Sequence, residues 1–166
     1  MDEDAKKNAL RMIPYGLYVV GVRSKEVKDP ASDLNAFIAS WVTQVSFKPP
    51  MVALAVRRKS RSREMIRDSG VFTLNLLGEG QKAMAETFFK DLEIDGKKMS
   101  GVGYRVGQTG APVFPGLPAY LECQVEAFHE DGGDHDVVVG RVVGAGYRPE
   151  TDRMLTHHDA GWHYGG

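Results

Sequence analysis

Between Leu17 and Val143 the chain returns repeatedly to short runs of β-branched and aromatic residues, and helical patterning only interrupts them. LYVVGV (Leu17 to Val22), LNAFIASW (Leu34 to Trp41), TQVSF (Thr43 to Phe47), MVALAV (Met51 to Val56) and VFTLNLL (Val71 to Leu77) are each strand-length. Leu34 to Trp41 and Thr43 to Phe47 read as two strands or one bent strand. Ala119 to Phe128 alternates, with Ala119, Leu121, Cys123, Val125 and Ala127 on one face, and Val137 to Val143 returns beside it as a hairpin. Helices that are inserted rather than alternating with strands exclude a doubly wound parallel sheet. The expected class is mainly β (α+β), a closed or nearly closed antiparallel barrel with short inserted helices, which leaves few exposed edges.

The punctuation agrees. Asp4 to Met12 reads as a short helix that Pro14 stops, and Ser24 to Asp33 as an exposed polar loop. Ser60 is the expected N-cap of a helix over Arg61 to Asp68, with Gly70 as its stop. Glu79 to Phe89 reads as a second helix with Ala83, Met84, Thr87 and Phe88 on one face. Lys90 to Gly116 is a glycine-rich excursion with a short strand near Tyr104. With 166 residues and neither repeat nor linker, one domain over 1–166 is expected.

A formal net charge of −1 argues against a surface built for nucleic acid, so basic clusters need local reasons. The single cysteine, Cys123, excludes an intrachain disulfide and any zinc site built on paired cysteines. No window approaches the roughly 18 apolar residues of a membrane span, and the N-terminus has no leader-like apolar region. A soluble cytoplasmic protein is expected.

Five cationic side chains fall between Arg57 and Arg63, and Ser60 and Ser62 sit among them where a helix begins. Unpaired N–H groups at a helix start, with hydroxyls and cations, suit an anion such as a phosphate, although a solvated charged helix start would look the same. Nothing matches a Walker or Rossmann fingerprint. Asn75, inside an apolar strand, either bonds a backbone group or faces a polar ligand. His135, in Gly133-Asp134-His135, has a carboxylate neighbour and could move a proton or donate to a bound ring; a turn histidine is also commonly just exposed. His157, His158 and His163 crowd the tail without ligand-like spacing, so no metal is expected. Trp41, Tyr120, Trp162 and Tyr164 could stack on a flat ligand or serve as core. No nucleophile elbow is present.

In order along the chain, N-A-F-I-A-S-W-V-T-Q-V-S-F-K-P-P (Asn35 to Pro50), V-R-R-K-S-R-S, S-G-V-F-T-L-N-L-L, G-A-P-V-F, L-P-A-Y-L-E-C-Q-V and G-D-H resemble the flavin reductase-like family of FMN-binding split barrels. The tail and Ala39 to Val42 look closest to the flavin reductase domain fused to cyanobacterial flavodiiron proteins. The resemblance implies a Greek-key split barrel and an NAD(P)H-dependent flavin reductase that holds FMN in a homodimer. It implies that Ile38, Ala39, Ser40, Trp41, Val42, Gln44 and Val45 border the ring and ribityl chain. Arg57, Lys59, Ser60 and Ser62 would hold the phosphate, Asn75 and Leu76 would edge the flavin, and His135 would be the catalytic residue on the nicotinamide side. A redox protein partner is compatible with it. Trp41 stands where the family has a second serine, which narrows the nicotinamide space. The family's L-L-Y-Y-x-G-x-Y ending is replaced by M-L-T-H-H-D-A-G-W-H-Y. Those two departures keep open an FMN-carrying electron-transfer protein without its own nicotinamide site, or a non-redox ligand-binding barrel.

Overall fold

Alternating side chains can serve two cores at once if a sheet is covered on both faces, and that is how this chain is built. A computed structural model describes residues 1–130, 132–149 and 153–165. The strands are β1 (Tyr18–Arg23), β2 (Leu34–Ala39), β3 (Val42–Phe47), β4 (Pro50–Arg57), β5 (Val71–Leu76), β6 (Ile94–Asp95), β7 (Lys98–Met99), β8 (Val102–Gly103), β9 (Arg105–Val106), β10 (Pro112–Val113), β11 (Ala119–His129) and β12 (His135–Tyr147). Seven form one sheet in the order β2-β1-β5-β11-β12-β4-β3, antiparallel at every pairing. The helices are α1 (Glu3–Arg11), α2 (Pro30–Asp33), α3 (Arg61–Ser69), α4 (Lys82–Glu86) and α5 (His157–Ala160). Among the described residues no helix is long and apolar enough to cross a membrane.

The mainly antiparallel β architecture is as expected, and of the closed or nearly closed barrel foreseen, the sheet is not closed. Its edges, β2 and β3, are not paired with each other, yet Ser40-Trp41 joins them directly in the chain. The backbone therefore crosses from one edge of the sheet to the other in two residues. The Ala55 N–H donates to the Trp41 carbonyl at 3.0 Å and pins that crossing to β4.

On β2, Leu34 and Ala36 join one core with Leu17, Phe88 and Phe114, while Ala39 joins the other with Leu54, Ile66 and Phe72. On β1, Val19 goes to the first and Val20 and Val22 to the second. Full burial of a side chain such as Leu54 or Ile66 contributes about 1.5–3 kcal/mol. Helix α3 plugs the second core with Met65 and Ile66 and is bounded as expected. Ser60 accepts from the Arg63 N–H, and Gly70 ends the helix in the left-handed region at φ 70°. Gly21 lets the excursion lie against the sheet, since a Cβ there would stand 2.2 Å from the Pro112 carbonyl oxygen.

Local patterning misleads in three places. The helix expected over Glu79 to Phe89 shortens to α4 and a 3-10 turn at Thr87–Phe89. Gln81 cannot cap it, because its side chain accepts from the Gly78 N–H and donates to the Gly116 carbonyl, both at 2.9 Å. Ala83 is exposed while Ala85 and Phe88 carry the buried face. The loop at Ser24 to Asp33 contains α2, which Asp29 caps with Pro30 in the first turn. The β11–β12 register shifts by an extra Val143 on β12 beside Glu122 and an extra Glu126 on β11. Glu122, expected on a polar face, is buried under the excursion, where it accepts from the Thr109 N–H and hydroxyl. Burial pushes the neighbouring Cys123 thiol up to about 12, which keeps it protonated and inert.

Candidate functional site

A cleft of about 850 Å³ opens where the Ser40-Trp41 crossing meets the ends of β4 and β12 and the start of α3. That volume suits a ring-bearing small molecule. Phe37, Ile38, Ala39, Ser40 and Trp41 form one wall, Ala55, Val56 and Arg57 another, and Ser60 and Ser62 one end. Phe88, Phe89, His135, His157 and the tail from Gly161 to Tyr164 close the other side.

The Ser60–Ser62 end has anion chemistry, although fewer cations than the sequence suggests. Arg58 and Arg63 both turn to Asp136, a fully buried carboxylate on β12. Arg58 donates from Nε at 3.0 Å and Arg63 from Nε at 2.8 Å. Burial acts to raise the Asp136 carboxyl, but hydrogen bonds from Arg63 and then Arg58 outweigh it and hold the group below its ordinary value. Arg61 donates to the Ser32 carbonyl. Arg57 is left lining the cleft, with Lys59 exposed nearby. Ser62 is buried and accepts from the Asn35 amide at 3.0 Å, and the Ser60 hydroxyl both caps α3 and donates to the Arg57 carbonyl at 2.8 Å. The Ser62 hydroxyl, the Arg57 guanidinium and the first N–H groups of a nine-residue helix are donors of the kind that suit an anion.

The adjoining wall is aromatic, and His135 in it is the strand partner of Arg57. Trp41 packs against His135 at a centroid distance of 4.7 Å, Tyr164 at 5.2 Å and Tyr15 at 6.3 Å. Its Nε1 is buried with no hydrogen-bond partner among the described residues, a donor that a ligand acceptor would satisfy. The His135 ring bridges the Asp134 carboxylate at Nδ1 and the Tyr164 hydroxyl at Nε2, each at 2.8 Å. The Asp134 carboxyl is held below its ordinary value, first by that hydrogen bond. Burial lowers the His157 imidazole, favouring its neutral form.

Residues 10–166 match the family model described as the flavin reductase like domain. The chain belongs to this family. A flavin reductase of Pseudomonas putida is 30% identical over 151 residues, covering 91% of this chain and 85% of the relative. A probable flavin reductase of Rhizobium meliloti is 32% identical over 129 residues, covering 78% of this chain but 40% of that protein. Diflavin flavoprotein A 1 of Synechocystis is 30% identical over 159 residues, covering 95% of this chain and 26% of that longer protein. Among solved structures, a nitrilotriacetate monooxygenase component B homologue from Mycobacterium thermoresistibile superposes with a TM-score of 0.77 at 28% identity, over 93% of this chain and 82% of that one. An NADH:FAD oxidoreductase from Streptomyces globisporus superposes with a TM-score of 0.72 at 27% identity, over 89% and 84%.

In this flavin reductase-like domain, Ile38, Ala39, Ser40, Trp41, Arg57, Ser60, Ser62 and His135 meet in the cleft. Val42, Gln44, Val45, Lys59, Asn75 and Leu76 do not line it. Val42 packs on the second core, while Gln44 and Val45 are exposed because β3 leaves the crossing along the sheet's far edge. Asn75 is fully buried, donating to the Val19 carbonyl and the Thr73 hydroxyl and accepting from the Phe114 N–H, all at 3.0 Å. Its amide is spent on fastening the excursion to the sheet. Among the described residues no group of three or more His, Cys, Asp or Glu is placed to hold a metal.

Sequence reasoning did not place Phe88, Phe89 and His157 in the cleft, or Asp136 beneath it. Only Asp136 left a trace, as a charged residue leading into the apolar run Val137 to Val139.

Proposed function

We propose that this domain holds FMN and catalyses NAD(P)H-dependent flavin reduction, with hydride passing from nicotinamide C4 to flavin N5. One observation carries the reading. A single cleft joins a phosphate-type helix start at Ser60 and Ser62 to an aromatic chamber walled by Trp41 and His135. The bound flavin would supply the two-electron chemistry. The chain supplies position and charge. Arg57, Ser62 and the first N–H groups of α3 would hold the phosphate, with Ser60 turning its hydroxyl from the Arg57 carbonyl to join them, and one guanidinium with these few donors suits a mononucleotide. Trp41 Nε1 would donate to a ring acceptor. His135, fixed by Asp134 at Nδ1, would offer the Nε2 lone pair to the N–H of the nicotinamide carboxamide, as a positioning acceptor rather than a base.

Homodimerisation belongs to this reading. Strand β3 has a free edge carrying exposed Val45 and Phe47, and Phe47 is 88% exposed. A second copy laid there would cover them and bring Gln44 and Val45 to an interface. A cytoplasmic location, and delivery of reduced flavin to an oxygenase or another redox protein, complete the proposal.

The test is an absorption spectrum of protein purified with FMN, followed by anaerobic NADH or NADPH. A flavin spectrum that bleaches with either nucleotide supports the reading. Colourless protein that does not quench FMN fluorescence refutes it. A second reading, an FMN electron carrier, is favoured by the bond from Tyr164 to His135, which occupies the atom a nicotinamide would use. A carrier would keep its colour with NADH and NADPH and bleach only with a reduced protein donor.

A further inference from the structure

A second groove, of about 410 Å³, lies between the end of α1 and the tail. Arg11 to Tyr15 form one bank, and Thr156, His157, His158 and Trp162 to Tyr164 form the other. His157, Trp162, His163 and Tyr164 also line the flavin cleft, so the two cavities share a wall. We infer that this groove receives the adenosine diphosphate half of the nicotinamide dinucleotide, an assignment that rests on the proposed reductase activity.

The lining has the chemistry of such a ligand. One guanidinium (Arg11) and three imidazoles (His157, His158, His163) face the groove, and among the described residues no carboxylate lines it. Arg11 makes no ion pair among the described residues, so its charge is available to a diphosphate. Asp159 lies next to His158 in the chain but is engaged by the Thr156 hydroxyl at 2.7 Å. Tyr15, Trp162 and Tyr164 offer aromatic faces, and Ile13 and Pro14 an apolar floor, for a purine. Arginine with stacking faces is a nucleotide's environment rather than a metal's.

FAD also carries an adenylate, attached through the flavin's phosphate. The proposed phosphate donors Arg57, Ser60 and Ser62 line the cleft and not the groove. Tyr164 lines both and bonds His135, the residue set against the nicotinamide in the proposed function. A ligand whose ring meets His135 and whose diphosphate continues past Tyr164 into the groove is the hydride donor.

The experiment compares NADH with reduced nicotinamide mononucleotide, which lacks the adenylate, at saturating FMN, in wild type, Arg11→Ala and His158→Ala. Both substitutions are at exposed positions, and circular dichroism confirms folding. In wild type, 5′-ADP should compete with NADH but not with FMN. Each variant should raise KM for NADH about tenfold, as loss of one charge-assisted contact implies, and weaken ADP inhibition equally, while KM for the mononucleotide moves by less than about twofold. Unchanged KM for NADH in both variants, equal shifts for the two donors, or selective loss of FAD affinity over FMN overturns the inference. If wild type is reduced by no nicotinamide, the proposed function fails instead. The groove is then tested alone by calorimetry with 5′-ADP, where binding lost in Arg11→Ala supports an adenine-nucleotide site and absence of binding removes it.

Discussion

His135 Nε2 and the phenolic oxygen of Tyr164 stand 2.8 Å apart, and both rings pack on Trp41. A residue of the hairpin turn and a residue of the tail, 29 positions apart, thereby form one aromatic wall. Gly165 continues across Trp41, where a Cβ would come within 2.8 Å of Cζ2. The tail is thus part of the cleft rather than an appendage.

Tyr164→Phe keeps the ring packing and removes the bond to His135. A net hydrogen bond of about 0.5–1.5 kcal/mol corresponds to roughly two- to tenfold in an equilibrium. On the proposed function, KM for NADH should fall by that factor as Nε2 becomes free for the nicotinamide. A rise in KM would mean that the Tyr164 hydroxyl assists binding rather than competing with it.

Ser62→Ala together with Ser60→Ala should weaken FMN binding at least about tenfold, since hydrogen bonds to a charged group contribute about 1.5–3 kcal/mol. Riboflavin, which lacks the phosphate, should lose little. Fluorescence titration of both ligands checks it, and equal losses would remove the phosphate from this end of the cleft. The double variant should also lose about 1 kcal/mol of stability with the Ser60 cap, so both titrations belong well below its melting temperature.

Asp136→Asn leaves Arg58 and Arg63 without their shared carboxylate beneath the anion end. Breaking a buried ion pair from one side costs about 3–5 kcal/mol, which urea denaturation should register. In the wild type the Asp136 carboxyl is depressed in the folded state. Its contribution is therefore fully present above the unfolded aspartate value of about 3.9 and is lost as pH falls through the lower folded value. Wild-type stability should drop below about pH 4 more steeply than that of Asp136→Asn.

Asn75→Ala orphans the buried Phe114 N–H, while the Val19 carbonyl stays within the β-sheet ladder. At about 1–3 kcal/mol for the unsatisfied group, the loss should be visible by urea denaturation. Hydrogen exchange should rise first around Phe114, where the excursion is fastened. Unchanged exchange there would show that Gly21 and the apolar contacts of Phe114 suffice.

What could be read directly is what neighbours in the chain determine. The strand runs, the Ser60 cap, the Gly70 stop and the β11–β12 hairpin depend on periodicity and on contacts a few residues apart. The family resemblance likewise rests on ordered local segments. Gln81 marks where this fails, because its bonds to Gly78 and Gly116 outcompete the helical turn that local propensity favours.

The site was divided differently. The basic segment announced an anion-binding helix start, but its five cations look alike in sequence. Only the tertiary structure decided that Arg58 and Arg63 serve Asp136, at separations of 78 and 73 residues, that Arg61 serves the Ser32 carbonyl, and that Arg57 faces the cleft. It also turned the Asn75 amide into the interior and laid Tyr164 against Trp41 and His135. Long polar side chains go where a buried partner would otherwise be left unpaired, and packing alone brings those partners together.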